Sequence, residues 1–275
     1  MLILASRLTA LLLFGLILPP AAAAGCSRPI NVPAAPSGQT VTNAGAQVGG
    51  MIPEVMNQLG SRIGCTFVWS PVARARLESM FQMGAADMLV AANEVAERDR
   101  AGIFVPVVDT RATLLSVHSE RAPVRSMQEL LARPELRVAL VRGYDYGPHY
   151  QALIAALGAQ GRLTMQAHPS IVTRMLAEGI VDVTIMTSLA FVSGLQGDPR
   201  TEAIADKVRS EPLDDMPWMR SGIYLSRKSL NPADRALLEQ ALTESVKNGT
   251  WWDAHKRYYS PQVLNDNLRP LEEPR

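Results

Sequence analysis

The strongest constraint on this chain is an alternation of short apolar strands with helices stopped by glycine, which runs through once and then starts again. Residues 30–35 read as a strand, followed by a loop rich in Pro, Ser, Gly, Thr and Asn. Met51, Ile52, Val55, Met56, Leu59 and Ile63 then fall at helical spacing until Gly64 ends the run. Residues 66–69 form a second strand, 73–83 a helix closed by Gly84, and 88–92 a third strand. Such alternation predicts an α/β fold with a parallel sheet and helices on both faces. Residues 111–118 make a strand long enough to leave one lobe and enter another. There the pattern restarts, with strands over 136–141, 163–166 and 183–186 and helices over 126–132, 147–157, 170–177 and 188–195. Residues 221–226 read as a return strand. Asn231 and Pro232 then supply an N-cap and first helical residue, Asn248-Gly249 a stop, and residues 250–258 a last amphipathic helix.

The N-terminus addresses the compartment. Arg7 precedes an apolar run over residues 8–18, then Pro19-Pro20 and four alanines, the pattern of a signal peptide over residues 1–24 with cleavage after Ala24. That run is too short and wrongly flanked for a membrane anchor, so the expected location is the periplasm. Cleavage removes one of 27 basic residues and none of the 26 acidic ones, leaving 26 of each. A chain so balanced has no electrostatic footprint for nucleic acid or a membrane surface. The two cysteines, Cys26 and Cys65, leave two readings open. In an oxidising compartment an even pair suggests a disulfide; Ala-Ala-Gly-Cys also approximates a lipoprotein cleavage box that would acylate Cys26. His118, His149, His168 and His255 are scattered without ligand spacing, so neither a metal nor another cofactor is called for. Trp218, Trp251 and Trp252 read as packing residues.

In residues 86–106 an apolar strand runs into a polar turn that delivers Arg98 just past the strand's carboxyl end, where open α/β sheets place their ligands. A guanidinium fork matches the two oxygens of a carboxylate. The plainer alternative is a surface arginine paired with Glu94 or Glu97. The segment resembles the periplasmic solute-binding proteins of the polar amino acid type. Asp87, Glu97, Arg98 and Phe104 match that family's pattern, while Asn93 and Val95 stand where threonines are usual. Weaker matches in the family's order occur at residues 30–32, 50–64, 137–146 and 222–259.

The resemblance implies a two-lobed, type II periplasmic-binding-protein-like fold, two α/β lobes joined by a two-strand hinge. Lobe 1 would then be discontinuous, residues 25–113 with 222–275, and lobe 2 residues 114–221. It favours the Cys26–Cys65 disulfide, since related chains carry cysteines at these places. It implies that Arg98 grips a ligand carboxylate while the turn of Gly143, Tyr144, Asp145 and Tyr146 meets it from the other lobe through backbone amides and tyrosine hydroxyls. Thr187 stands where the family's ammonium-binding Asp is expected, which points away from an ordinary α-amino group unless Asp145 substitutes. Arg74, poorly placed at a helix N-terminus, is expected to face the cleft, together with Asn93 and Ser37. An arginine held open for a ligand would contribute little to folding. The partners implied are a small solute and an ABC-transporter permease, with the binding protein itself a monomer. Alternatives are an accessory or sensory subunit without transport, or a dehydratase-like enzyme, which would need an acid in the cleft.

Overall fold

The computed structural model describes residues 25–117, 120–195 and 198–271; the expected signal peptide and His118 lie outside the described residues. The first lobe opens with β1 (Ile30–Ala34), β2 (Thr42–Ala44), β3 (Gln47–Gly49), α1 (Met51–Ile63) and β4 (Phe67–Pro71). It continues with α2 (Arg74–Met83), β5 (Met88–Asn93), the one-turn α3 (Ala96–Asp99) and β6 (Gly102–Thr110). The second lobe contains β7 (Thr113–Val117), α4 (Met127–Leu131), β8 (Val138–Val141), α5 (Pro148–Ala159) and β9 (Leu163–Gln166). After these come α6 (Pro169–Ala177), β10 (Thr184–Met186), α7 (Ser188–Leu195), α8 (Pro199–Glu202) and β11 (Val208–Glu211). The chain returns through β12 (Met219–Ser226) to α9 (Pro232–Lys247), α10 (Thr250–Tyr258), α11 (Pro261–Asn267) and β13 (Leu268–Arg269).

Local chemistry explains the helix ends. Met51, Ile52, Val55, Met56 and Leu59 bury one face of α1, and Gly64 ends it in the left-handed region, its N–H donating to the Gly60 carbonyl. Asn231 caps α9 by accepting the Asp234 amide at 2.8 Å.

The sheets are mixed, which corrects the expectation of a parallel sheet. β1 and β4 are parallel, as are β8 and β9, but the order β13-β6-β12-β5 is antiparallel throughout and so is β10-β7-β11. The reason is directional, because a strand that returns from the other lobe enters the first sheet running the opposite way. β6 has no counterpart in the sequence reading, since Pro106 interrupts its pattern. The structure accommodates Pro106 at a register shift, where it stands opposite Gly222. A Cβ on Gly222 would collide with the Val105 carbonyl, so the two backbones can approach there only without a side chain.

The hydrophobic core divides in the same way as the sheets. One cluster draws on residues 30–108 and 223–268, with Leu189 reaching in from the second lobe; two others are built from residues 112–219. Between them lie the crossings from β6 to β7 and from β11 to β12. A C-terminal segment lies across both lobes: β13 pairs with Thr110 and Asp109 of β6, the Asn267 carbonyl accepts the Arg111 amide, and Asn267 Oδ1 accepts the Ser188 amide of α7 at 3.3 Å. Trp218 sits at this junction with the Arg269 and Arg111 guanidiniums over its ring at 4.7 and 4.9 Å.

Cys26 and Cys65 are joined by a disulfide, so no free thiol is left on Cys26. It closes a loop with a sequence separation of 39 residues. Thiol labelling of denatured, unreduced protein should find no reactive cysteine. Replacing both cysteines by serine should lower stability by about 4 kcal/mol in denaturant titrations; an unchanged midpoint would mean the tail is held by Arg28–Asp87 and Ser27–Asp234 alone.

Candidate functional site

A cavity of about 90 Å³ lies between the lobes, room for a handful of waters or a small organic molecule. The first lobe lines it with Arg74, Asn93, Arg98 and Ser37, the second with Tyr144, Asp145, Tyr146 and Thr187. Trp251 and His255 of α10 close another part of the wall.

Two arginines of its wall, Arg74 and Arg98, are paired with the carboxylate of Glu78, which lines the adjoining groove and not this cavity. Arg98, 4% exposed, gives Nε and Nη2 to the two oxygens of Glu78 at 3.0 and 2.9 Å, and Nη1 to the Asn93 carbonyl at 2.8 Å. Arg74, 7% exposed, reaches the same Glu78 one turn along α2 and donates Nη1 to the Val90 and Ala91 carbonyls. Its unfavourable place at a helix N-terminus is thus offset by three acceptors. Ala91, whose carbonyl is one of them, has φ 51, a left-handed conformation inside a strand that marks local strain at the cavity wall. Burial pushes the Glu78 carboxyl up, but the two guanidiniums more than offset this and hold it below its ordinary value. Burial draws the Arg74 guanidinium down, with Glu78 pulling the other way. Arg98 is therefore part of a buried ion network and not an arginine held open, which removes the ground for expecting it to contribute little to folding.

The turn after β8 supplies the opposite wall. The Tyr144 hydroxyl is buried with no hydrogen-bond partner among the described residues, and burial raises its pKa to about 12 against the pull of Arg74. Tyr146 packs edge-on between Tyr144 and Tyr150 in the second lobe's core, and burial raises its pKa well above the usual value. Asp145 accepts the Gly147 amide through Oδ1 at 2.8 Å, and its own carbonyl accepts Asn93 Nδ2 from the first lobe at 2.9 Å. With Oδ1 also facing the Thr110 hydroxyl, Asn93 acts as a link between lobes. Gly143 lies off this cavity, in an adjoining groove that shares Arg98, Tyr144 and Asp145 with it. At φ 86, a Cβ there would come within 3.0 Å of the Ala75 amide, so Gly143 packs on the first turn of α2. Thr187 caps α7, its Oγ1 accepting the Ala190 amide at 3.2 Å.

Three of these residues were not singled out in the sequence: Glu78, Trp251 as a wall residue, and His255. The i, i+4 spacing of Arg74 and Glu78 was a visible signal. His255, 3% exposed, carried none, because only the return of α10 to the first lobe brings it here. Its Nδ1 lies 2.8 Å from the Trp251 carbonyl, and burial lowers its pKa.

The family model of bacterial extracellular solute-binding proteins, family 3, matches residues 31–261. No curated protein matches the sequence. Among solved structures, a putative L-cystine ABC transporter from Listeria monocytogenes superposes with a TM-score of 0.66 at 16% identity, over 86% of this chain and 97% of that one. A histidine kinase sensor domain with similarity to periplasmic binding proteins gives 0.66 at 18% identity, over 85% and 96%. An ancestral amino acid-binding protein, a precursor of cyclohexadienyl dehydratase, gives 0.65 at 15% identity, over 84% and 95%. At these identities the likeness speaks for the type II, two-lobed fold. With the family model spanning most of its length, the chain belongs to the bacterial extracellular solute-binding proteins, family 3.

Proposed function

We propose that this protein captures a small carboxylate-bearing solute, an amino acid or a related organic acid, between its lobes and delivers it to the membrane permease of an ABC transporter. In this reading it works in the periplasm as a monomer. Residues 25–113 with 222–275 and residues 114–221 are the bodies that close on the solute. The observation that carries the reading is the charge balance of the cavity's arginine side. Arg74 and Arg98 share the carboxylate of Glu78, and the acid on the cavity wall itself, Asp145, has Oδ1 turned to the Gly147 amide, so the two guanidiniums carry one more positive charge than Glu78 balances beside a Tyr144 hydroxyl with no partner among the described residues. Arg98 also keeps hydrogens to offer, since Nη1 and Nη2 each carry two and each has one acceptor.

The likeness to a sensor domain supports a second reading, capture of the same solute for signalling instead of uptake. A dehydratase role has less support. Glu78 is engaged by both arginines, and Asp145 has Oδ1 turned to the Gly147 amide, which leaves its Oδ2 as the one carboxylate oxygen on the cavity wall that an acid role could use.

A thermal-shift screen of amino and organic acids is the first experiment, since a solute bound only by the folded state raises the melting temperature. For the solute it finds, Arg98→Ala should weaken binding by about 30-fold to several thousand-fold, with Arg98→Lys recovering part of the loss. The alanine variant should also melt at a lower temperature, because Glu78 loses its two-pronged partner. Unchanged affinity would remove the carboxylate assignment.

Glu78 makes a separate expectation about acid. Its carboxyl is held below the ordinary 4.5, so its contribution to stability is present above that pH and is lost as pH falls through the folded-state value beneath it. Glu78→Gln should therefore cost about 3 kcal/mol at neutral pH. That gap should narrow as both proteins are unfolded at successively lower pH, and a gap independent of pH would contradict the ion network.

A further inference from the structure

One part of the cavity wall is built by α1, α10 and β13, which contribute Met51, Ile52, Trp251, His255 and Leu268. Met51, Ile52, Trp251 and Leu268 belong to a single buried cluster of the first lobe, so this part of the wall is continuous with the core. Trp251 offers it only a ring face, because Nε1, its one polar side-chain atom, is given to Ser245 Oγ at 2.8 Å. A solute lying here meets apolar surface on most sides.

His255 is the exception. It follows Trp251 by one turn of α10, which brings both to the cavity from the same side of that helix. Nδ1 lies 2.8 Å from the Trp251 carbonyl, a contact that needs the hydrogen on Nδ1, so Nε2 is an acceptor in the neutral ring. Burial disfavours the charged form of that ring. The Tyr259 ring stacks on the imidazole at 6.4 Å and the Trp252 ring tilts against it at 6.2 Å, so its orientation is held. With Nδ1 turned back to its own helix, the ring edge that carries Nε2 is the part left to line the cavity.

Resting on the reading that the cavity binds a small carboxylate, we propose that His255 is a specificity-determining residue of the site, and that the solute is a compact acid whose end remote from the carboxylate carries an uncharged hydrogen-bond donor, a hydroxyl or a carboxamide. The carboxylate meets Arg98, the body of the solute lies against Met51, Ile52 and Leu268, and the far end gives its hydrogen to Nε2. In a cavity of about 90 Å³ only a short chain can join the two ends. A methyl group at the far end would leave Nε2 unmatched once the solute has displaced water. A charged end of either sign would exchange water for an uncharged ring among apolar neighbours. This end of the solute is chosen independently of whether its α-carbon carries an amine.

The test is calorimetric titration of the full mature protein at neutral pH with two series that differ only at the far end. One is amine-free, with valerate, 4-hydroxybutyrate, succinamate and succinate; the other carries the α-amine, with norvaline, homoserine, asparagine and aspartate. In a series that binds, the hydroxyl or carboxamide member should bind about tenfold or more tightly than the methyl and the carboxylate members. His255→Phe keeps a ring beside Tyr259 and removes the acceptor, so it should reverse the order and bind the methyl member best. Equal binding of the hydroxyl and methyl members by the wild type, or tightest binding of the carboxylate member, would overturn the inference while the carboxylate reading stands. An unchanged order in a folded His255→Phe would overturn the role of His255. If that variant does not fold, nitrogen-15 NMR of the wild-type imidazole decides: the Nε2 resonance should move with the hydroxyl member and not with the methyl member, and an equal response overturns the role. If neither series binds, the acid found by the thermal-shift screen is titrated against wild type and His255→Phe, and equal affinity overturns the inference. Absence of binding by every acid at millimolar concentration would overturn both the inference and the reading beneath it.

Discussion

The antiparallel pairing of β6 with β12 is the constraint on which the rest of this structure depends. These strands are the outgoing and returning passes of the chain between its lobes, and they pair along the whole length of β12. They also place Val107, Val108, Thr110, Ser221, Gly222 and Ile223 along the cavity. The hinge, the centre of the first sheet and one wall of the site are therefore one object. Its tolerances are narrow, since Pro106 lacks an amide for the ladder and Gly222 has no room for a side chain.

The charged side of the cavity is built upon that frame. Two guanidiniums buried side by side would repel at low dielectric, and Glu78 makes their placement tolerable by bridging both. The carbonyls of Val90, Ala91 and Asn93 complete the shell. The strained φ of Ala91 fits this arrangement, because it turns a strand carbonyl toward Arg74. Within this network the two guanidiniums carry one more positive charge than Glu78 balances, with the Asp145 carboxylate on the same cavity wall, and the side chains' geometry is already fixed. Such preorganisation lowers the entropy lost when a ligand binds.

Closure of the lobes has its own fastenings. Asn93 to Asp145 and Gly143 to the first turn of α2 join the lobes at the cleft. On the hinge side, Asn267 bridges Arg111 and Ser188. With β13 on β6 and the Trp218 stack beside it, the C-terminal segment acts as a third connection between bodies that the main chain links only twice. Relative motion of the lobes has to rearrange these contacts, so their strength sets part of the energy difference between open and closed arrangements.

By itself the sequence carried the alternation of strands and helices, the glycine and asparagine ends of α1, α2 and α9, and the segments that resemble a solute-binding family. All of these are local, written in spacing and in residue types with fixed backbone preferences. It also marked Arg74, Arg98, Tyr144, Asp145 and Thr187, which the fold brings to one cavity. Tertiary structure decided what each of them can do. β6 was hidden because its proline is compatible with a strand only opposite a register shift in β12, more than a hundred residues away. The antiparallel order of the first sheet was hidden because periodicity does not record direction. That Gly143 packs on the first turn of α2, and that Asn93 links the two lobes through the Asp145 carbonyl, could not be read from residue type or spacing. Arg98 looked free in sequence because its partner Glu78 is 20 positions away, on a different helix. Hydrogen-bonding types are fixed by residue identity, but whether a donor is left open for a ligand depends on which neighbours the fold has already supplied.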